Sequence, residues 1–302
     1  MNELDRLRAM DSEGTFSPGA SLPSALQANT CRSGRIRFPD FYCIGAQKAG
    51  TTWLFDRLSW NPKVWIPVIK EVDHFSEMYL PKTNEWAREQ RRTKYIDCGS
   101  PEYVGNVLNG LGKDDTAYGM LFAAAPPASL TGDFSPEYML LPPAAIAHVR
   151  RLSPHARIVL MVRDPVDRLW SHVKHVAQTP EYISIDLLKE MLAQPYVLAR
   201  ADYASVVQRW RRVFSADKIY VGDYERIRNE PEALLRDFHE FLQVDGTEYC
   251  LEGLERVVHP TFRMEMPGDI YRTAVDAMAV YMYSFARHMP EIGEAWLDRH
   301  GL

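Results

Sequence analysis

Residues 41–58 read FYCIGAQKAGTTWLFDRL: an apolar run ending in glycine, a short turn closed by a second glycine, and an amphipathic helical pattern. Strand, glycine turn and helix together make an anion site from backbone alone. The free N–H groups and positive dipole end of a helix starting at Thr51 point at one spot, and Gly50 lets the main chain approach it closely. Gly45 and Gly50 have the separation of an ATP-binding loop, G-x-x-x-x-G-K-S/T, but the lysine is displaced. Lys48 stands two residues before the second glycine, not directly after it. On the crest of the loop its ammonium reaches over a bound anion, which suits a bridging oxygen that gains charge as a group departs from it. The Thr51 and Thr52 hydroxyls add donors.

Outward from this unit, short apolar runs alternate with longer helical patterns, as in a parallel sheet wrapped by crossover helices. Strands are predicted at 40–45, 63–67, 129–133, 157–163 and 218–223. The runs RIVLMVR and KIYVGD have the continuous apolar character of strands covered on both faces. Helices are predicted at 51–60, 142–152, 166–177, 184–194, 202–214, 231–242 and 268–289, several opened by proline. The expected fold is α/β, a P-loop-like three-layer arrangement with a central, mainly parallel sheet of about five strands flanked by helices. Residues 1–35, rich in Ser, Pro, Gly and Ala, read as a mobile leader and 36–302 as one domain. Residues 81–127 break the alternation and read as an insertion over the carboxyl edge of the sheet.

With 302 residues, 46% hydrophobic and 25% charged, the chain is globular and can bury a large core. A net charge of −5 gives no global attraction for nucleic acid or anionic membrane, so any anion site must be a local basic pocket. Cys31, Cys43, Cys98 and Cys250 are scattered without CxxC spacing, against a disulfide framework or zinc site and in keeping with a reducing cytoplasm. No apolar run approaches the roughly 18 residues of a membrane span. The sequence does not set the oligomeric state.

A second basic motif follows the strand at 157–163. In RDPVDRLWS, Arg163 ends the strand, Pro165 opens a helix, and Arg168 and Ser171 lie three residues apart on it. Arg163 and Ser171 are placed to converge on one anion, the planar guanidinium suiting a phosphate dianion. Both motifs fall at carboxyl ends of predicted parallel strands, where open α/β sheets bind ligands.

The lysine placement in GAQKAGTTW, with R-x-P-x-x-R-x-x-S, resembles the two phosphate motifs of sulfotransferases that use 3′-phosphoadenosine 5′-phosphosulfate (PAPS) and release 3′-phosphoadenosine 5′-phosphate (PAP). The likeness runs from about residue 38 to 290. It implies that Gln47, Lys48, Ala49, Gly50, Thr51 and Thr52 hold the 5′-phosphosulfate, Arg163 and Ser171 the 3′-phosphate, with no metal required. Trp53 is a candidate adenine platform or a core residue. Arg263, in HPTFRMEMPGD, resembles the basic residue of a late loop closing over the nucleotide.

An alcohol acceptor needs a base as its oxygen attacks sulfur. Glu71, in the loop PVIKEVDHFSE near the same edge, is the leading candidate, with Lys70 beside it. Similar K-E-x-x-aromatic-F segments occur in glycan-type and bacterial members, many with histidine two residues after the glutamate. Here Asp73 takes that place and His74 comes next, so His74 is the second candidate. TGDFSPEY resembles the family's G-E-x-S-P-x-Y segment, with Asp133 for glutamate. Asp133, Ser135 and Tyr138 are candidates to line the acceptor cleft, with Lys70 and Asp73. His172 and His175 form an H-x-x-H pair, but no third metal ligand is evident in the sequence.

The function implied is transfer of a sulfuryl group from PAPS to a hydroxyl or amine of a saccharide or small metabolite. The rivals are a P-loop nucleoside or small-molecule kinase and a non-catalytic PAP-binding regulator.

Overall fold

A computed structural model of the chain describes residues 36–67, 70–80, 107–251, 254 and 262–302. The predicted leader and residues 81–106 of the predicted insertion lie outside the described residues, as do the side chains of Cys31, Cys98 and Cys250; Cys43 is a free, buried thiol.

Five strands, β1 (Phe41–Gly45), β2 (Val64–Trp65), β3 (Leu130–Phe134), β4 (Arg157–Val162) and β5 (Ile219–Asp223), form one sheet in the order β2-β3-β1-β4-β5. Every pairing is parallel. Strand β1 is buried at all five positions, as its unbroken apolar sequence requires. The connection after β1 moves outward to β2 and returns through β3, and the chain then crosses to β4 on the other side of β1. The carboxyl ends of β3, β1 and β4 therefore stand side by side at the reversal point, where doubly wound sheets open a crevice.

Helices cover the sheet: α1 (Thr51–Ser59), α2 (His74–Tyr79), α3 (Asp115–Leu121), α4 (Pro143–Leu152), α5 (Pro165–Ala177), α6 (Ile185–Leu192), α7 (Pro195–Ala199), α8 (Tyr203–Arg211), α9 (Arg226–Asn229), α10 (Pro231–Leu242), α11 (Gly268–Ala286) and α12 (Pro290–His300). Helix α5 starts where the sequence dictates. Pro165 has no N–H to lose at the first position, and the Asp164 side chain accepts from the Val166 and Asp167 N–H groups.

Two differences from the sequence reading have clear causes. The helix predicted over 268–289 ends at Ala286, because Pro290 cannot continue it and instead opens α12. The two helices then fold back on each other, and only glycine fits at 293, where a Cβ would come within 2.5 Å of the Ala286 main chain. The segment 107–127 is more than a cover: it buries Leu108, Leu111, Ala117, Tyr118, Leu121 and Phe122 in the core. Among the described residues no helix is long and apolar enough to cross a membrane.

Candidate active site

The loop from Gly45 to Gly50 leaves β1 with the Ala46 N–H bonded to the Met161 carbonyl of β4 (2.7 Å). At its far end Gly50 has φ 83°, and a Cβ there would lie 2.4 Å from the Ile227 side chain and 3.1 Å from Tyr224. Both conformation and space therefore require glycine. Gly50 caps α1 without any side-chain hydrogen bond, and the first turn carries no acidic residue. The helix start is thus open toward an anion. Ala49 and Thr51 are buried, while Gln47, Lys48 and Thr52 are half-buried.

Arg163 stands at the end of β4, next to this loop. Its guanidinium donates to the Lys48 carbonyl (3.1 Å) and lies 4.3 Å over the Tyr224 ring, while its own carbonyl accepts from the Tyr203 hydroxyl (3.0 Å). Its Nε is buried with no hydrogen-bond partner among the described residues, as is Gln47 Oε1. The two predicted phosphate motifs are physically joined. An uncapped helix start, an orphaned guanidinium N–H and a glycine-lined turn suit the phosphates of the implied nucleotide. Ser171 is half-buried on the second turn of α5.

Glu71 is fastened to the end of β3 by its N–H, which donates to the Phe134 carbonyl (2.8 Å), and its carboxylate pairs with Lys70 Nζ (3.1 Å). Both groups keep partial solvent access, and the bond to Phe134 puts Glu71 at the carboxyl end of β3, beside that of β1. Lys48 (φ 67°), Glu71 (φ 61°) and Asp73 (φ 55°) are three of the five non-glycine residues with positive φ among the described residues. Such conformations cluster where function fixes a side chain's direction.

His74 has a different setting. It is fully buried, stacked on Tyr118 at 4.3 Å, with Nδ1 accepting from the Gly112 N–H (2.9 Å) and Nε2 donating to Asp115 (3.2 Å). Burial, only partly offset by Asp115, pulls its pKa down to about 4. Both ring nitrogens are spent on holding α3 against α2, which leaves none to take a proton from an acceptor.

Asp133, Ser135 and Tyr138 are also fully buried, so they do not line a cleft. The Asp133 carboxylate accepts from Tyr118 (2.7 Å), Ser135 (2.7 Å) and Tyr138 (3.0 Å). Ser135 Oγ in turn accepts from the Asp73 N–H (3.1 Å), and the Tyr138 hydroxyl accepts from the Phe75 N–H (3.4 Å). The cluster pins the segment carrying Glu71 to the sheet. Burial raises the Asp133 pKa to about 6 despite three hydroxyl donors. Asp73 is itself buried and receives the Ser76 hydroxyl (3.4 Å). The family-like segment is thus engaged within the protein, beneath the loop that carries Glu71.

Trp53 is core: it is 4% exposed, and its indole N–H donates to the Leu254 carbonyl (3.3 Å). Arg263 is exposed on the late segment, which is held to α5 by the Trp170 indole N–H donating to the Met264 carbonyl (3.3 Å). His172 is buried, its pKa depressed by burial and by Arg200, Arg168, His175 and Lys48. A metal cation at the H-x-x-H pair would meet that positive charge. Tyr118 and Tyr224 escaped the sequence reading. Tyr118 lies in a segment whose pattern suggested an insertion, and nothing in the sequence marks Tyr224 as the support of Arg163.

The model of the sulfotransferase family matches residues 39–248. Human carbohydrate sulfotransferase 15 is 26% identical over 162 residues, covering 48% of this chain and 28% of that protein. Human bifunctional heparan sulfate N-deacetylase/N-sulfotransferase 3 is 25% identical over 225 residues, covering 69% of this chain and 22% of that protein. The chain thus spans only about a quarter of the length of these relatives. The crystal structure of a sulfotransferase from Alicyclobacillus acidocaldarius superposes with a TM-score of 0.64 at 25% identity, over 86% of this chain and 99% of that one. The sulfotransferase domain of the Synechococcus PCC 7002 olefin synthase shares the fold, with a TM-score of 0.52 at 18% identity over 83% of this chain and 97% of that one. With the family model spanning most of a five-stranded parallel α/β domain, the chain belongs to the sulfotransferase family.

Proposed function

We propose that the protein transfers a sulfuryl group from PAPS to a hydroxyl or amine of a saccharide or small metabolite. The observation that carries this reading is the hydrogen bond from Arg163 to the Lys48 carbonyl, which brings two separate phosphate motifs to one crevice. A donor with phosphate on both ribose positions needs both, and ATP has no use for the second. When bound, the donor supplies the activated sulfuryl group and a phosphate leaving group. The loop amides and Thr51-Thr52 hold the 5′ end, and Lys48 stabilises charge on the departing oxygen. Arg163 and Ser171 fix the 3′-phosphate. Glu71 receives the acceptor proton, with Lys70 orienting its carboxylate.

A kinase would add a magnesium ion held by a loop hydroxyl and a carboxylate at a neighbouring strand end. The strand-end aspartates are engaged otherwise: Asp133 by three hydroxyls, Asp164 as a helix cap, and Asp223 by the Glu225 N–H. The glycan relatives direct attention to saccharide acceptors. The decisive measurement is incubation of purified protein with ³⁵S-labelled PAPS and a panel of saccharide, phenol and amine acceptors. Wild type is expected to label at least one acceptor, and Lys48→Ala to lower that turnover about 10²–10³-fold, the usual loss of one charge-stabilising donor. Magnesium-dependent ATP binding that displaces PAP would overturn the proposal.

A further inference from the structure

An open surface depression of about 420 Å³ is lined by Lys174, Arg263, Met264 and Glu265. Lys174 is one turn beyond Ser171 on α5, so the two side chains are neighbours on one helix face. Its Nζ lies 5.5 Å from the Trp170 ring centre, and Trp170 in turn holds the Met264 carbonyl. Lys174 is thus presented to the depression from one side and Arg263 from the other.

We propose, building on the PAPS reading, that Lys174 is a binding residue for the nucleotide 3′-phosphate and sets the preference for PAP over a nucleotide without that group. Arg163 alone is poorly supplied for a dianion. One of its NH groups is committed to the Lys48 carbonyl, and its guanidinium lies over the Tyr224 ring, which leaves fewer of its N–H groups for an anion. Lys174 is close enough for Arg163 to depress its pKa in addition to the larger effect of burial, with Asp167 opposing. Two neighbouring cations repel, and a dianion bound by both removes that cost. Asp167 pairs with Arg299 (3.1 Å), leaving Glu265 as the one carboxylate lining this depression among the described residues.

Calorimetric titration of the full chain with PAP and with adenosine 5′-monophosphate, for wild type, Lys174→Gln and Lys174→Arg, tests the assignment. Expected are a wild-type preference for PAP, an approximately tenfold loss of PAP affinity in Lys174→Gln with the monophosphate unaffected, and substantial recovery in Lys174→Arg. Equal losses for both nucleotides, or no loss for PAP, would overturn the role of Lys174 while leaving the site's identity standing. A wild type indifferent to the 3′-phosphate would overturn both. Unchanged thermal melting of Lys174→Gln separates a binding loss from misfolding.

Discussion

Lys48 and Glu71 hold left-handed backbone conformations that cost a side-chain-bearing residue about 1–2 kcal/mol each. That cost is sustained by bonds to neighbouring strands: the Arg163 guanidinium on the Lys48 carbonyl, and the Glu71 N–H on the Phe134 carbonyl. Glu71→Gln keeps the main-chain bond and the side-chain shape and removes only the basic oxygen. It is expected to lower sulfuryl transfer about 10²–10⁴-fold while PAP affinity stays unchanged, measured by radiolabel transfer alongside calorimetry. Full activity in this variant would eliminate Glu71 as the base, and a non-catalytic PAP-binding regulator would transfer nothing even in wild type. The places of Lys48 and Glu71 were legible in the sequence because each follows a predicted strand in a turn or loop, at the carboxyl edge where open α/β sheets bind ligands. In the sequence His74, Asp133, Ser135 and Tyr138 are candidates to face an acceptor because a polar residue announces that it needs a partner, not whether that partner is ligand or protein. The partner became visible only with Tyr118, Asp115 and Gly112 in place.

At the scale of elements, the loop between β2 and α2 is shaped by what lies under it. The Asp133 carboxylate gathers three hydroxyls, and two of the residues supplying them receive N–H groups from residues 73 and 75. The folded-state pKa of Asp133, near 6, exceeds the ordinary 3.8, so the folded state favours its protonated form. Its contribution to stability is therefore complete below about pH 4, declines as pH rises toward 6, and is absent above that. His74 acts in the opposite sense. With its pKa lowered to about 4, its contribution is full above about pH 6.5 and is lost as pH falls toward 4. Comparing wild type with Asp133→Asn cancels the histidine. From pH 4 to 6 the stability of the variant relative to wild type is expected to rise by about 3 kcal/mol and then level off, read from urea denaturation at each pH. A difference that stays constant with pH would show that Asp133 does not titrate in this window. Among the described residues the strands and seven of the twelve helices could be read from periodicity and proline caps, whereas α2, α3, α7, α9 and α12 were not. Helix α2 spans six residues, and α12 buries only Gly293 and Trp296, too thin a stripe to register as a pattern.

Across the whole molecule, α12 bears on the carboxyl end of β4. Trp296 of α12 stacks on Phe285 of α11 at 5.0 Å and lies 6.0 Å from Tyr203, whose hydroxyl holds the Arg163 carbonyl. At the end of α12, His300 Nε2 donates to Asp164 Oδ2 (2.8 Å) while its Nδ1 meets the Tyr271 hydroxyl (2.9 Å). Arg299 reaches the same Asp164 oxygen (3.4 Å) and Asp167 (3.1 Å). Asp164 is fully buried and directly follows Arg163, so the chain's final turn fixes the start of the helix that carries Ser171. The order of strands and the common rim follow from alternation and crossover rules, but this closure over more than a hundred residues has no local signature. His300→Ala leaves a buried carboxylate short of a donor and is expected to lower the unfolding free energy by about 1–3 kcal/mol. The same substitution in an Asp164→Asn background should cost much less, because the neutral amide no longer needs the imidazole. If His300 acts through Asp164, chemical denaturation of the four variants gives a clear coupling energy and PAP affinity falls with the single variant. Equal costs in both backgrounds would mean that α12 contributes packing alone and that the 3′-phosphate motif is held by Tyr203 and Tyr224.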